Sequence, residues 1–332
     1  MTEETLNTNS ANARQSFYEA TVGRIGVHNV SLILALLALL VLFGSLRGDV
    51  FFSMRNILNM GMGIAILGVL AISQTTVVIS GRMDISVGSI VGLTTVAVAS
   101  AIQITGSAFL GIVFGIVVGG LAGLFNGVII TYGRVNHIIV TLGTMAIFRG
   151  VAFIISDGQS ISIFNDTFRT IGIGRFLGIP MPIWVLIMTA VVFHIFLSKS
   201  IIGRNFYAIG GNPIVARFAG INLNRYSIGT FVMSGAVAGI GGILLAARTG
   251  SGQPISGSQG LELEAITAAF LGGCAMQGGK GSVIGALLGV AVIGILNNGM
   301  ILTSVPTFYQ LLAKGSLLIL AVVFAEFQQN RQ

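Results

Sequence analysis

The sequence predicts an all-α fold: a polytopic transmembrane helix bundle of about ten spans with both termini cytoplasmic. Three observations lead there. Of the 332 residues, 54% are hydrophobic and only 8% are charged, with a mean hydropathy of +0.94, whereas a soluble domain carries about 25% charged residues. So few charges cannot cover a water-facing surface, and most of the surface must face lipid. The apolar residues also gather into runs close to the roughly 20 residues that a helix needs to cross a bilayer. Finally, the chain is basic, net +7, and its basic residues sit in the links between those runs, as membrane orientation requires.

In chain order, residues 1–28 are polar and contain Glu3, Glu4 and Glu19, which a secretory signal would not. They are expected to form a short cytoplasmic tail. Residues 29–326 form the transmembrane part and 327–332 a C-terminal tail. The expected spans are 29–46, 57–80, 85–104, 107–131, 137–156, 181–198, 226–247, 263–276, 282–302 and 308–326. The eighth is short and suits half of a broken helix. With the termini inside, ten basic residues fall on the cytoplasmic side, among them Arg82, Arg134, Lys199 and Lys280. Five fall outside: Arg47, Arg55, Arg169, Arg175 and Arg248.

Glycine is abundant and patterned. Gly111, Gly115, Gly119, Gly123 and Gly127 recur every four residues along the fourth span. On a helix this forms a single slowly drifting stripe that lets another backbone come close. Gly235 with Gly239, and Gly281 with Gly285 and Gly289, repeat the spacing. Tight helix packing is the expectation, with a substrate path beside the stripe as the alternative.

Several function classes are excluded. The basic residues form no single face or run, so no nucleic-acid partner is expected. One cysteine, Cys274, allows neither an intrachain disulfide nor a multi-cysteine metal site. His28, His137 and His194 share no ligand spacing. No arrangement for nucleophilic catalysis is present, so the chain is not expected to be an enzyme or to hold a cofactor. "GGCAMQGGKGS", Gly272 to Ser282, lacks the first glycine and the Ser or Thr of a phosphate-binding loop. It reads as a tight turn, and ATP hydrolysis is not expected on this chain.

Polar residues inside the spans are the candidate substrate pathway. "SGRMDISVGS", Ser80 to Ser89, sets Asp84 and Ser86 between two long apolar runs. It is either an unwound link inside the membrane or a cytoplasmic turn with a local Arg82–Asp84 pair. Arg149 lies well inside the fifth span, able to snorkel outward or to donate into a polar cavity. Asn126, Thr141 and Thr144 are available to a hydroxyl-rich ligand or to a neighbouring helix. Lys314, near the outer end of the last span, is expected to snorkel.

The longest cytoplasmic link, 199–225, carries Lys199, Arg204, Arg217 and Arg225 and no acid. Within it Asn212 is a helix cap, Pro213 suits the first helical position and Gly220 a C-terminal stop. "PIVARFAGI" therefore reads as a short amphipathic helix.

Four stretches together resemble a known family: "SGRMDISVGSIVG", "VTLGTMAIFRG", "GRNFYAIGGNPIVARFAGI" and "LELEAITAAFLGG" with "GGKGSVIGALLGV". They are similar to the membrane permeases of bacterial ABC importers for monosaccharides, the ribose/xylose/arabinose/autoinducer-2 group. Members often read "GGIDLSVG" where this chain has "GRMDISVG"; Asp84, Ser86 and Gly88 match, while Arg82 replaces a glycine. The resemblance implies a non-catalytic permease subunit of the bacterial inner membrane that translocates a sugar or small polyol by alternating access. It implies three partners: an ATP-binding cassette ATPase, a periplasmic or lipid-anchored sugar-binding protein, and a second permease copy or paralogue. It also makes 199–225 the ATPase-coupling loop, with Gly203, Arg204, Gly210, Gly211, Asn212, Pro213, Arg217 and Gly220 its characteristic residues. The alternative is a self-contained secondary transporter or channel in which Asp84 or Arg149 couples to an ion.

Overall fold

Residues 27–255 and 257–329 are described in the computed structural model. Helix α1 (Val27–Phe51) leads into α2 (Met54–Ile79), α3 (Val87–Thr105), α4 (Ala108–Tyr132) and α5 (His137–Ser156). After short α6 (Asp166–Ile173) come α7 (Met181–Lys199), α8 (Ile201–Gly211), α9 (Pro213–Phe218) and α10 (Leu223–Thr249). The chain closes with α11 (Leu261–Leu271), α12 (Val283–Leu302) and α13 (Thr307–Gln329). The expected tail 1–28 lies outside the described residues apart from the first turn of α1, as does the end of 327–332.

Small polar residues in the links start the helices. The side chains of Ser53, Ser107, Asn136, Ser200, Asn222 and Ser282 each accept a hydrogen bond from a backbone N–H of the first turn they precede. Pro180 and Pro182 open α7, where a missing N–H removes no helical bond. Arg47 interrupts α1 with a non-helical φ of −148° and ψ of 42°.

Among the described residues, eight helices are long and apolar enough to cross a membrane, against the ten spans expected: α1 to α5, α7, α10 and α12. The eighth expected span, 263–276, is a helix of only 11 residues, α11. The chain before it runs beside α3 as irregular backbone, its Gln253 N–H and C=O both paired with Thr95 Oγ1 at 2.9 and 2.8 Å. Backbone without helix is tolerable at that depth because protein surrounds it. Helix α13 carries a shorter apolar stretch, Thr307–Val323.

Helices α2, α3 and α10 are mostly buried, whereas α1, α4, α5 and α7 turn large apolar side chains outward. The α4–α10 seam is made by the glycine stripe. A Cβ on Gly123 would collide with the Phe231 carbonyl, and Cβ atoms on Gly119 and Gly235 would strike each other's helix backbone. Gly285 and Gly289 bring α12 equally close to α11, at the carbonyls of Gly272 and Ala268. Tight packing, the first expectation for these stripes, is what they do.

Two short antiparallel pairs tie the links at one end of the bundle. Strand β1 (Ile161–Ser162) pairs with β4 (Ser251–Gly252), and β2 (Arg175–Phe176) pairs with β3 (Ile179–Pro180). At the opposite end, the links around Gly81, Gly210 and Gly278 touch. Links assigned to one side of the membrane thus meet one another.

Candidate functional site

Two constellations stand out: a polar knot between the helices and a glycine junction at one end. Helix α2 stops at Ile79, and Gly81, at φ +76°, turns the chain back toward the bundle. The unwound segment then carries Asp84 to a fully buried position just before α3. Its Oδ1 accepts from the Ser86 N–H at 3.0 Å and the Ser86 hydroxyl at 2.6 Å, and its Oδ2 accepts from the Ser234 hydroxyl at 2.8 Å. Asn126 Nδ2 donates to Ser86 Oγ at 2.8 Å, and Gln74 Nε2 donates to the Asp84 carbonyl at 2.8 Å.

Helix α10 is therefore joined to the Asp84 carboxylate directly, α4 through the Ser86 hydroxyl and α2 through the Asp84 backbone carbonyl, and the carboxylate sits at the positive N-terminal end of α3. The segment is unwound and enclosed by protein, and Asp84 pairs with Ser86 and Ser234 rather than with Arg82. The Arg82 guanidinium donates instead to the Ser80 carbonyl, at 3.4 Å. Nearby, His137 Nδ1 accepts from the Met83 N–H at 3.2 Å, tying the link to α5.

The structure brings Asp84, Ser86 and Asn126 together but leaves Thr141 and Arg149 apart. Thr141 is buried, and its hydroxyl donates to the His137 carbonyl of its own helix at 2.8 Å. Arg149 is half-buried on α5 and acts electrostatically on Glu262 of α11. Lys314 does not simply snorkel: its Nζ donates to Glu264 Oε1 at 2.7 Å, joining α13 to α11. Gln74, Ser234, Glu262 and Glu264 are the residues that sequence reasoning passed over. A lone glutamine or a pair of acids at the edge of an apolar run was the available signal.

The glycine junction is built from backbone. A Cβ on Gly210 would collide with the Ile79 carbonyl, and one on Gly278 would come 2.7 Å from the Gly81 Cα. The Gly279 N–H donates to that same Ile79 carbonyl at 2.8 Å. The end of α8, the start of the Asp84 link and the turn after α11 are thus in direct backbone contact. Tyr207 adds a bond from its hydroxyl to the Gly281 carbonyl, 2.9 Å. Gly203 lets α8 fold back on α7, against the Phe196 carbonyl.

Helix α9 leaves this junction toward solvent. Asn212 Oδ1 accepts from the N–H groups of Ile214 and Val215, Pro213 occupies the first helical position, and Gly220, at φ +83°, follows the end. Arg204 and Arg217 are exposed, as are Ile214, Val215 and Phe218, the last at 87%. An apolar and cationic surface displayed at the tip of a bundle fits a protein partner.

The family described as branched-chain amino acid transport system / permease component matches residues 54–322. The L-arabinose ABC transporter permease protein AraH of Azospirillum brasilense is 41% identical over 295 residues, 88% of this chain and 87% of its own length. The ribose import permease protein RbsC of Haemophilus influenzae is 37% identical over 306 residues, 91% of this chain and 94% of its own. The RbsC of Bacillus subtilis is 38% identical over 289 residues, 86% and 89%. No solved structure matches the chain significantly. With the family match covering α2 to most of α13, and relatives of this identity along nearly their whole length, the chain belongs to the branched-chain amino acid transport system permease family.

Proposed function

We propose that this chain is the transmembrane permease subunit of an ATP-driven ABC importer for a monosaccharide or related small polyol. The observation that carries the reading is the backbone junction of Gly210, Gly81 and Gly278, which links displayed helix α9 to both the Asp84 segment and α11. Residues 199–225 are the coupling loop: Ile214, Val215 and Phe218 enter a cleft of the ATPase while Arg204 and Arg217 engage its acidic rim. The permease is switched only by a partner that binds its two states differently. A displacement of α9 passes through glycine backbone, with no compliant side chain between, to the links that begin α3 and end α11.

The termini and the coupling loop lie in the cytoplasm of a bacterial inner membrane, following the basic asymmetry. A periplasmic or lipid-anchored binding protein delivers the sugar on the opposite side, and a second copy or paralogue completes the pathway. ATP is hydrolysed on the separate ATPase subunits, and this chain needs no cofactor. Within the pathway hypothesis, Asp84, Ser86 and Asn126 hold the moving helices together rather than touching sugar.

Reversing both charges, Arg204→Glu with Arg217→Glu, tests the coupling role. Co-purification with the ATPase subunit and ATP-dependent uptake are expected to fall together, while the permease keeps its membrane level and elution volume. Normal ATPase binding and normal uptake would remove α9 from the mechanism.

A further inference from the structure

At the end of the bundle opposite α9, the helices line a half-open cavity of about 280 Å³ between the start of α2, the end of α10, the first turn of α11 and the second half of α12. Its wall is part aliphatic, with Ile64 and Leu67, and part polar, with Asn59, Arg248, Glu264 and Asn297.

The polar part is held in place and incompletely used. Asn297 Nδ2 donates to Glu264 Oε2 at 3.3 Å, while Lys314 holds the other carboxylate oxygen. Asn297 Oδ1 is sealed from solvent and has no hydrogen-bond partner among the described residues. The next residue, Asn298, exchanges two amide hydrogen bonds with Asn56, at 3.0 and 2.9 Å, which fixes this stretch of α12. Across the cavity the Arg248 guanidinium reaches Gly63, its Nη1 standing 3.9 Å from where a Cβ there would lie.

We propose that this cavity is a binding site within the permease itself for a single small polyhydroxylated solute. Sugar hydroxyls donate to the Glu264 carboxylate and accept from Arg248 and Asn59, which line the cavity. The C–H face of the ring lies on Ile64 and Leu67. A mixed wall of this kind suits a ring that is polar at its edge and apolar across its face. The volume lies near the lower end of the ~300–1,000 Å³ typical of small-molecule sites, which fits one ring. The proposal rests on the sugar-permease reading and deepens it, because it gives the permease its own selectivity.

Gly63 supplies the test. It lies on helical α2, and a Cβ there meets only the Arg248 Nη1 at 3.9 Å. Gly63→Leu therefore fills the cavity while raising helix propensity. Asn297→Leu removes the amide that donates to Glu264 in the cavity wall, and Asn297→Gln keeps one. The complete importer, with its ATPase and binding protein, is assayed in cells for uptake of radiolabelled L-arabinose and D-ribose, beside a complex whose ATPase is inactivated.

Gly63→Leu and Asn297→Leu are each expected to lower uptake at least tenfold at unchanged membrane level, Asn297→Gln less. The variants are also expected to change the ratio of arabinose to ribose uptake, which a defect in assembly alone would leave constant. If both leucine variants transport like the parent and the ATPase-inactive complex does not transport, the cavity proposal is overturned and the importer reading stands. If the parent chain takes up sugar with the ATPase inactive, the importer reading fails instead.

Discussion

The hydroxyl of Ser234, in the middle of α10, donates to Oδ2 of Asp84 at 2.8 Å across 150 residues of sequence. That bond, with the two from Ser86, makes one buried carboxylate the meeting point of the Asp84 link and α10, and Asn126 extends it to α4. Asp84→Ala is expected to strand these donors and destabilise the chain by at least about 2 kcal/mol. Asp84→Asn keeps the shape, and the serine hydroxyls can rotate to suit an amide, so it is expected to lose less. Thermal unfolding of the detergent-solubilised protein reads the difference; an Asp84→Ala protein as stable as the parent would refute the structural role.

The α4–α10 seam makes a second prediction. Gly123→Val drives a branched side chain into the Phe231 carbonyl and must separate two helices, at a cost of more than about 3 kcal/mol, beyond ordinary overpacking. Gly120, one helical turn away, has only the Ala236 Cβ at 4.0 Å from its own imagined Cβ. Gly120→Ala is therefore expected to accumulate in the membrane like the parent, and Gly123→Val to be depleted. Immunoblots of membrane fractions make the comparison, and equal levels would contradict the seam.

The glycine junction separates two neighbouring residues. A Cβ on Gly210 collides with the Ile79 carbonyl, whereas one on Gly211 meets nothing within 4 Å. Gly210→Ala is expected to leave ATP hydrolysis by the assembled complex while lowering sugar uptake several-fold, and Gly211→Ala to change neither. Paired hydrolysis and uptake assays measure the coupling ratio. An unchanged ratio in Gly210→Ala would show that the junction transmits nothing.

Much of this fold is written in local sequence. Ser and Asn before apolar runs mark helix starts, and Asn212 with Pro213 places α9 to the residue. The four-residue glycine period identifies the α4 face that α10 approaches, because spacing on one helix is a local property. Partnership between distant elements is not local. Nothing in the sequence around Asp84 selects Ser234, and nothing near Lys314 selects Glu264, since both pairs depend on how helices register after packing. Helix α11 was overestimated for a related reason: the apolar composition of 263–276 continues past Leu271, but the backbone turns there through Gly272 and left-handed Gly273. Thr141 and Arg149 are polar residues within a span, as the members of the polar knot are, but α5 does not bring them to it.

In the proposed mechanism a separate ATPase drives the movement of a sugar through this chain. Reconstituted vesicles holding the permease, its ATPase and its binding protein decide it, with radiolabelled L-arabinose or D-ribose and ATP placed on the side bearing α9 or withheld. Accumulation that requires ATP and disappears when the catalytic residue of the ATPase is replaced is the predicted result. Uptake that continues unchanged without ATP, or that follows an imposed ion gradient, would contradict it.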